Sequence, residues 1–249
     1  MSINPVSELQ RRKKKKTVLI TGAAGSLGIC LAREYLSRGY MVFGVDVVQQ
    51  HSETDRLFEE ANGQFVFLHA DVSDSSSVQH MAEYVGAKTE ALDILVNCAG
   101  IIRPESEYLL EDFDIDGSMN LFNVNALGPL RVTKACIGLL RKGHDKLLVN
   151  ISSEAGSMTS HADYINRYDY CMSKAALNIQ SVILQRYLKP EGIRVLLFNP
   201  GWMHTRMGGP EAPVDPAVSA QGIADLAESL RTRPDSYMYW NYNGMERPW

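Results

Sequence analysis

Thr21-Gly22-Ala23-Ala24-Gly25-Ser26-Leu27-Gly28 is the stretch on which the reading of this 249-residue chain turns. It follows a short β-branched run, Val18–Ile20. It also opens Ser26–Arg38, where Leu27, Leu31 and Tyr35 share one helical face and Gly39 stops the helix. Strand, glycine turn and helix in that order make a phosphate-binding turn. The missing side chains let a pyrophosphate approach backbone N–H groups at the positive end of the helix. Gly22, Gly25, Ser26, Leu27 and Gly28 are the expected contacts.

Outward from this turn, short apolar runs alternate with longer amphipathic stretches. The runs are Met41–Val45, Phe65–Leu68, Ile94–Val96, Leu147–Ile151 and Arg194–Phe198, most of them apolar on consecutive residues. Strands buried on both faces have this pattern. Ser75–Val85, Gly117–Leu140 and Tyr164–Leu188 have room for helices, and Tyr237–Trp240 is read as an edge strand. The pattern predicts a single-domain α/β fold, Rossmann-type and doubly wound. Its sheet has about seven mostly parallel strands with helices on both faces. The domain is expected over 17–249, behind a basic and flexible leader, 1–16, that carries the unbroken run Arg11–Lys16. Gly208–Pro216 is a loop inside the domain, and Trp202–Ala220 is expected to be a mobile lid.

Several strand ends carry candidate ligands, where open α/β sheets bind them. Asp46, 24 residues beyond Gly22, is placed to accept hydrogen bonds from the adenosine ribose hydroxyls. Its charge would repel a 2′-phosphate, which favours NAD(H) over NADP(H). Asp71 and Val72 are expected near the adenine. Asn97, Ala99 and Gly100 are expected against the cofactor ribose. Beyond the fifth strand come Ser152-Ser153, then Tyr170 and Lys174 one helical turn apart. A nearby ammonium favours a phenolate, so the spacing predicts a Tyr170 pKa brought down from about 10 by Lys174. Such a phenol can exchange a proton with an alcohol or carbonyl oxygen while a serine hydroxyl steadies the developing charge.

Composition narrows the partners. With 45% hydrophobic and 22% charged residues and a net charge of −4, the chain fits a globular protein with no call for nucleic acid or membrane. Its four cysteines show no metal or disulfide spacing, which suits a cytoplasmic location and no metal site.

These motifs together resemble the short-chain dehydrogenase/reductase family from about Thr17 onward. Gly22 and Gly28 match its glycine turn, and Asn97–Gly100 matches its NNAG-type motif, with Cys98 where a second Asn is usual. Asn125, Ser153, Tyr170 and Lys174 match its catalytic tetrad. Pro200-Gly201 matches its Pro-Gly motif, and Thr205 is placed for the cofactor carboxamide. The resemblance implies a water held by Asn125 in a proton relay, a ribose contact from Lys174, and a homodimer or homotetramer. Tyr170–Asn178, Gly201–Gly209 and the closing Pro-Trp are similar to the C-factor and Sniffer-like carbonyl reductase branch. Three departures stand out: Ser26 in place of the middle glycine, Arg206 where an acid is common, and a longer Ser153–Tyr170 interval. The last implies an inserted loop around His161–Arg167 beside a small alcohol or carbonyl substrate. A nucleotide-sugar epimerase or dehydratase, and a non-catalytic nucleotide sensor, are the competing readings of the fold.

Overall fold

The structure, a computed structural model, describes residues 15–49, 51–160, 164–233 and 236–249. The basic leader up to Lys14 and His161 of the inserted loop therefore lie outside the described residues. Seven strands form one sheet: β1 Thr17–Thr21, β2 Met41–Asp46, β3 Phe65–His69, β4 Ile94–Asn97, β5 Leu147–Ile151, β6 Arg194–Asn199 and β7 Tyr239–Asn241. Their order is β3-β2-β1-β4-β5-β6-β7, and every pairing is parallel.

Seven α-helices cover the two faces: α1 Ser26–Ser37, α2 Ser52–Glu60, α3 Ser75–Lys88, α4 Met119–Phe122, α5 Gly128–Leu140, α6 Tyr168–Leu188 and α7 Pro216–Leu230. The alternation of side chains along a strand explains why the strand runs are apolar throughout. Val18 and Ile20 of β1 pack with Leu31, Tyr35, Ile223 and Ala227 on the α1 and α7 side. Leu19, between them, packs with Val78, Val132, Cys136 and Leu140 on the other side. Chain order reverses direction at β1 and β4, so a crevice opens between their C-terminal ends.

Four local expectations are corrected. The helix expected over Tyr164–Leu188 starts only at Tyr168, because Arg167 holds the left-handed conformation (φ 60°). The stretch expected as one helix over Gly117–Leu140 is broken by a π turn at Asn123–Leu127 between α4 and α5. The edge strand lies two residues later than the apolar patch suggests. Helix α2, mostly polar and anchored by Thr54 and Leu57, escapes the apolar pattern.

Candidate active site

The glycine turn shows why bulk is excluded between β1 and α1. Gly22 has φ +69°, and a Cβ there would lie 2.8 Å from Ala99 Cα. A Cβ on Gly28 would lie 2.0 Å from the Gly22 carbonyl oxygen, and one on Gly25 would lie 3.2 Å from it. The N-terminus of α1 has no side-chain cap, whereas Asp74 and Asp215 cap α3 and α7. Ser26 and Leu27 lie in that uncapped turn, whose amide groups are left for an anion. This cradle, which any added Cβ would fill, fits a dinucleotide. The Thr21 hydroxyl accepts hydrogen bonds from the amides of Cys98 and Ala99, both at 3.1 Å, and so joins the ends of β1 and β4.

Asp46 stands at the end of β2 with its carboxylate turned to the loop. Oδ2 accepts from the Ala24 amide (2.9 Å) and Oδ1 from the Val48 amide (3.3 Å). Asp71 accepts from Ser73 N–H (2.8 Å), and Val72 is buried against Gly128. Asn97 departs from expectation. Its amide nitrogen donates inward to Asn150 Oδ1 (2.8 Å), so it joins β4 to β5 rather than lining the ribose surface. Ala99 and Gly100 continue the half-buried wall, where a Gly100 Cβ would lie 3.5 Å from Asn125 Oδ1 and 3.6 Å from Lys174 Nζ.

The four reactive candidates come from three separate parts of the chain. Asn125 sits fully buried in the π turn, accepting from Ile101 N–H and donating to Ile101 O, each at 2.8 Å. Single π turns frequently mark functional sites. The two serines after β5 part ways. Ser152 is buried and donates to Asn178 Oδ1 (2.5 Å), whereas Ser153 is half-buried and lies beside the Tyr170 phenol. Tyr239 hydroxyl donates to the Ser153 carbonyl (2.6 Å), and Arg247 pairs with Glu154 (3.0 Å), so the chain's last strand and tail brace this turn. Lys174 Nζ lies 5.8 Å from the Tyr170 ring centre and donates to the Ile151 carbonyl (3.0 Å).

The electrostatics correct one expectation. Burial pushes the Tyr170 pKa up, and the Ser153 hydroxyl draws it partly back; the lysine does not bring it below its ordinary value. Burial also lowers Lys174 to about 8. A desolvated ammonium hydrogen-bonded to a backbone carbonyl is itself disfavoured and leaves the phenol neutral. Cys98, beside them, is pushed up to about 12 by burial against the pull of Lys174.

Downstream of β6, Gly201 has φ +80° and leaves no room for a Cβ beside the Tyr242 ring. The Pro200 carbonyl accepts from Ser219, and Thr205 Oγ1 accepts from Gly208 N–H (3.0 Å). The expected lid is partly self-bonded: Trp202 Nε1 donates to Gly208 O (2.7 Å), and His204 and Trp202 bridge to Val214. It ends at Asp215, because Pro216–Ala220 already belong to α7.

Two residues with no motif to announce them also meet here. Ser173 accepts from Asn125 Nδ2 (3.2 Å), and Asp169, next to Tyr170, is fully buried and pairs with Arg103 (3.0 Å). Partners 66 residues apart leave no trace in a periodicity.

Known proteins share this fold. The model of the short chain dehydrogenase family matches residues 16–214. The C-signal protein of Myxococcus xanthus is 37% identical over 161 residues, which is 65% of this chain and 95% of that protein. The carbonyl reductase Sniffer of D. melanogaster superposes with a TM-score of 0.87 at 25% identity, covering 95% of this chain and 100% of that one. The NADPH-bound carbonyl reductase from chicken fatty liver gives 0.85 at 25% identity, with the same coverage. No helix among the described residues is long and apolar enough to cross a membrane. With its glycine cradle at the head of an all-parallel seven-stranded sheet, this chain belongs to the short-chain dehydrogenase/reductase family of nicotinamide-dependent oxidoreductases.

Proposed function

We propose that the protein interconverts an alcohol and a carbonyl with NAD(H), using Tyr170 as the acid/base. The observation that carries this reading is the meeting of Tyr170, Ser153, Lys174 and Asn125 at the C-terminal ends of β4 and β5. The cofactor, when bound, would supply the hydride chemistry. Tyr170, kept neutral by burial, is ready to give its proton to a carbonyl oxygen, and takes it back in the opposite direction. Ser153 orients that oxygen. Lys174 and Asn125 face one another across Gly100; the lysine would hold the nicotinamide ribose and Asn125 a water of the proton relay. Thr205 and the Pro200-Gly201 turn would bear on the carboxamide.

The preference for NAD(H) rests on charge. Neither Thr21–Gly28 nor Asp46–Gln49 contains a Lys or Arg to neutralise a 2′-phosphate beside Asp46. The chicken relative was solved with NADPH, so this is a difference between the two proteins to be measured. We read 17–249 as one cytoplasmic catalytic domain behind a basic leader. Assembly as a homodimer or homotetramer fits the exposed Leu130, Ile179, Ile183 and Tyr187 on α5 and α6.

The test is a titration with NADH and NADPH, followed by a panel of aldehydes, ketones and secondary alcohols read by nicotinamide absorbance. Tighter NADH binding and turnover of at least one carbonyl are expected. Binding of neither cofactor, or turnover unchanged in Tyr170→Phe, would overturn the proposal.

A further inference from the structure

A carboxylate as deeply buried as Asp169 calls for a physical account. It sits in the first turn of α6 with a side chain that is 0% exposed, directly before Tyr170. An unpaired carboxylate in such a place is strongly disfavoured, and the helix dipole returns only a small part of that cost. Two donors satisfy it. Oδ1 accepts from the Tyr170 backbone N–H (2.8 Å), and Oδ2 accepts from Arg103 Nε (3.0 Å). Arg103 is itself immobilised: Nη2 donates to Asp114 O (3.0 Å), Nη1 faces the Asp114 carboxylate (3.5 Å), and the guanidinium lies over the Phe113 ring. A Cβ on Gly117 would lie 2.0 Å from Arg103 Nη1, so a side chain there would displace the end of the guanidinium.

The same stretch holds the start of α6 at further points. Arg167 N–H donates to Ser106 O (2.6 Å), Arg167 pairs with Glu107 (2.7 Å), and Phe113 meets Tyr168 edge-on at 5.4 Å. Its beginning, Ile101, is locked to Asn125. The rest of α6 is tied elsewhere, through Lys174 to Ile151, Asn178 to Gly156 and Asn150 to Ser181. The helix therefore does not depend on Arg103 to form, and only its first turn hangs on the stretch from Ile101 to Ser118. That turn carries the phenol.

We propose that Arg103 and Asp169 form a positioning pair that fixes the first turn of α6, and so holds the Tyr170 hydroxyl against Ser153 and the substrate oxygen. This rests on the reading of Tyr170 as the acid/base. Neither residue touches substrate. They act through the Tyr170 backbone, and a displacement of about 1 Å at a reacting group can cost a hundredfold in rate.

The experiment uses the full chain carrying Asp169→Asn, Arg103→Met, Arg103→Lys or Tyr170→Phe. One readout needs no substrate: NMR titration of tyrosines labelled at the hydroxyl-bearing ring carbon, with the Tyr170 signal assigned by its loss in Tyr170→Phe. The charged and titratable groups acting most on this phenol are Cys171, Arg167 and Tyr164, with Ser153 as the hydrogen-bonding partner that lowers its pKa. Loss of the Asp169 charge alone would lower the Tyr170 pKa and loss of the Arg103 charge alone would raise it, so an upward move in both variants reports loss of the Ser153 contact and not of charge. The second readout is steady-state reduction of para-nitrobenzaldehyde with NADH. Asp169→Asn and Arg103→Met should move the Tyr170 midpoint upward and lower kcat about tenfold or more, with KM for NADH within about threefold. Arg103→Lys should recover part of both losses. An unmoved Tyr170 titration in Asp169→Asn overturns the proposal, even if the melting temperature falls, since a mere staple would do only that. Turnover retained in Tyr170→Phe would instead remove the acid/base reading and leave the titration to judge the pair.

Discussion

The two ends of the sheet are built from similar residues and put to opposite uses. At the C-terminal ends of β1, β4 and β5, polar groups are left short of partners or aimed at open space. The α1 amides are uncapped, Ser153 is half-buried, and Lys174 is desolvated on a single carbonyl. At the N-terminal ends, buried carboxylates are ringed by partners. Asp145, with a side chain 0% exposed, gathers Lys16 (2.9 Å), Tyr40 (2.9 Å), His144 (3.1 Å) and Arg231 (3.2 Å). Asp93, beside it, accepts from the amides of Thr17 and His144, both at 2.7 Å. Burial alone would raise the Asp145 pKa, but hydrogen bonds from His144, Lys16 and Tyr40 and the Arg231 charge hold it below its ordinary value. At the reactive end, burial wins for both Tyr170 and Lys174, and each is displaced toward neutrality. Unmet polar groups cost stability, and the densely paired carboxylates at the other end help the fold to carry them.

The largest expected separation of the two ends comes from Tyr170→Phe. It should cut kcat by about a hundredfold to ten-thousandfold with NADH affinity and melting temperature nearly unchanged. Rate measurements paired with calorimetric binding check this, and a large loss of stability would mean that the site end carries the fold after all.

Asp145→Ala should do the reverse. With Lys16 and Arg231 partly solvated, the loss should be roughly 2–4 kcal/mol in urea unfolding, short of the full penalty for a broken buried pair. Turnover at low temperature should survive. Loss of cofactor binding in the folded variant would break the comparison.

The same residue sets a pH dependence. Asp145 has its folded pKa depressed, so its contribution is present above the unfolded value of about 3.9 and disappears as pH falls through the folded value. Urea midpoints measured as pH falls from about 6 to 3 should decline. Asp145→Asn should decline less steeply, and parallel slopes would show that other carboxylates carry the acid sensitivity.

The smallest expected effect sharpens the cofactor end. Asp46→Ala should narrow the NADH-over-NADPH preference by roughly tenfold, by removing both the acceptor for the ribose hydroxyls and the charge that repels a 2′-phosphate. A preference unchanged in paired titrations would move discrimination away from this carboxylate.

Much of the C-terminal end was legible in the sequence, and little of the N-terminal end was. Glycines after a strand, a carboxylate closing the next strand and a Tyr–Lys spacing are local patterns, and the sheet followed from runs that are apolar on both faces. Apart from the adjacent His144, the partners of Asp145 come from positions 16, 40 and 231, brought together only by the fold. The inward turn of the Asn97 side chain was hidden for a related reason. Its strand end looked like a ligand surface, but alternation turns its side chain toward Asn150. The direction of the Tyr170 shift was also missed, because sequence gives the distance of a charge along a helix and not the loss of water around both groups.

The π turn at Asn123–Leu127 can be regarded as one surplus residue kept inside a helix. Removing any one residue there would let α4 and α5 merge into a continuous α-helix, the form with better hydrogen bonds. The same deletion would leave α4 and α5 nearly in register, because a π turn spreads one extra residue over about the same arc, but it would remove the bulge that presents Asn125. Asn125 would then lose Ile101 and Ser173, and the stretch leading to Arg103 would lose its footing. A length change that is neutral or favourable for the helix would thus be ruinous for the site. In alignments, a gap at this position should therefore separate chains that keep this arrangement of Asn125 from those that have abandoned it.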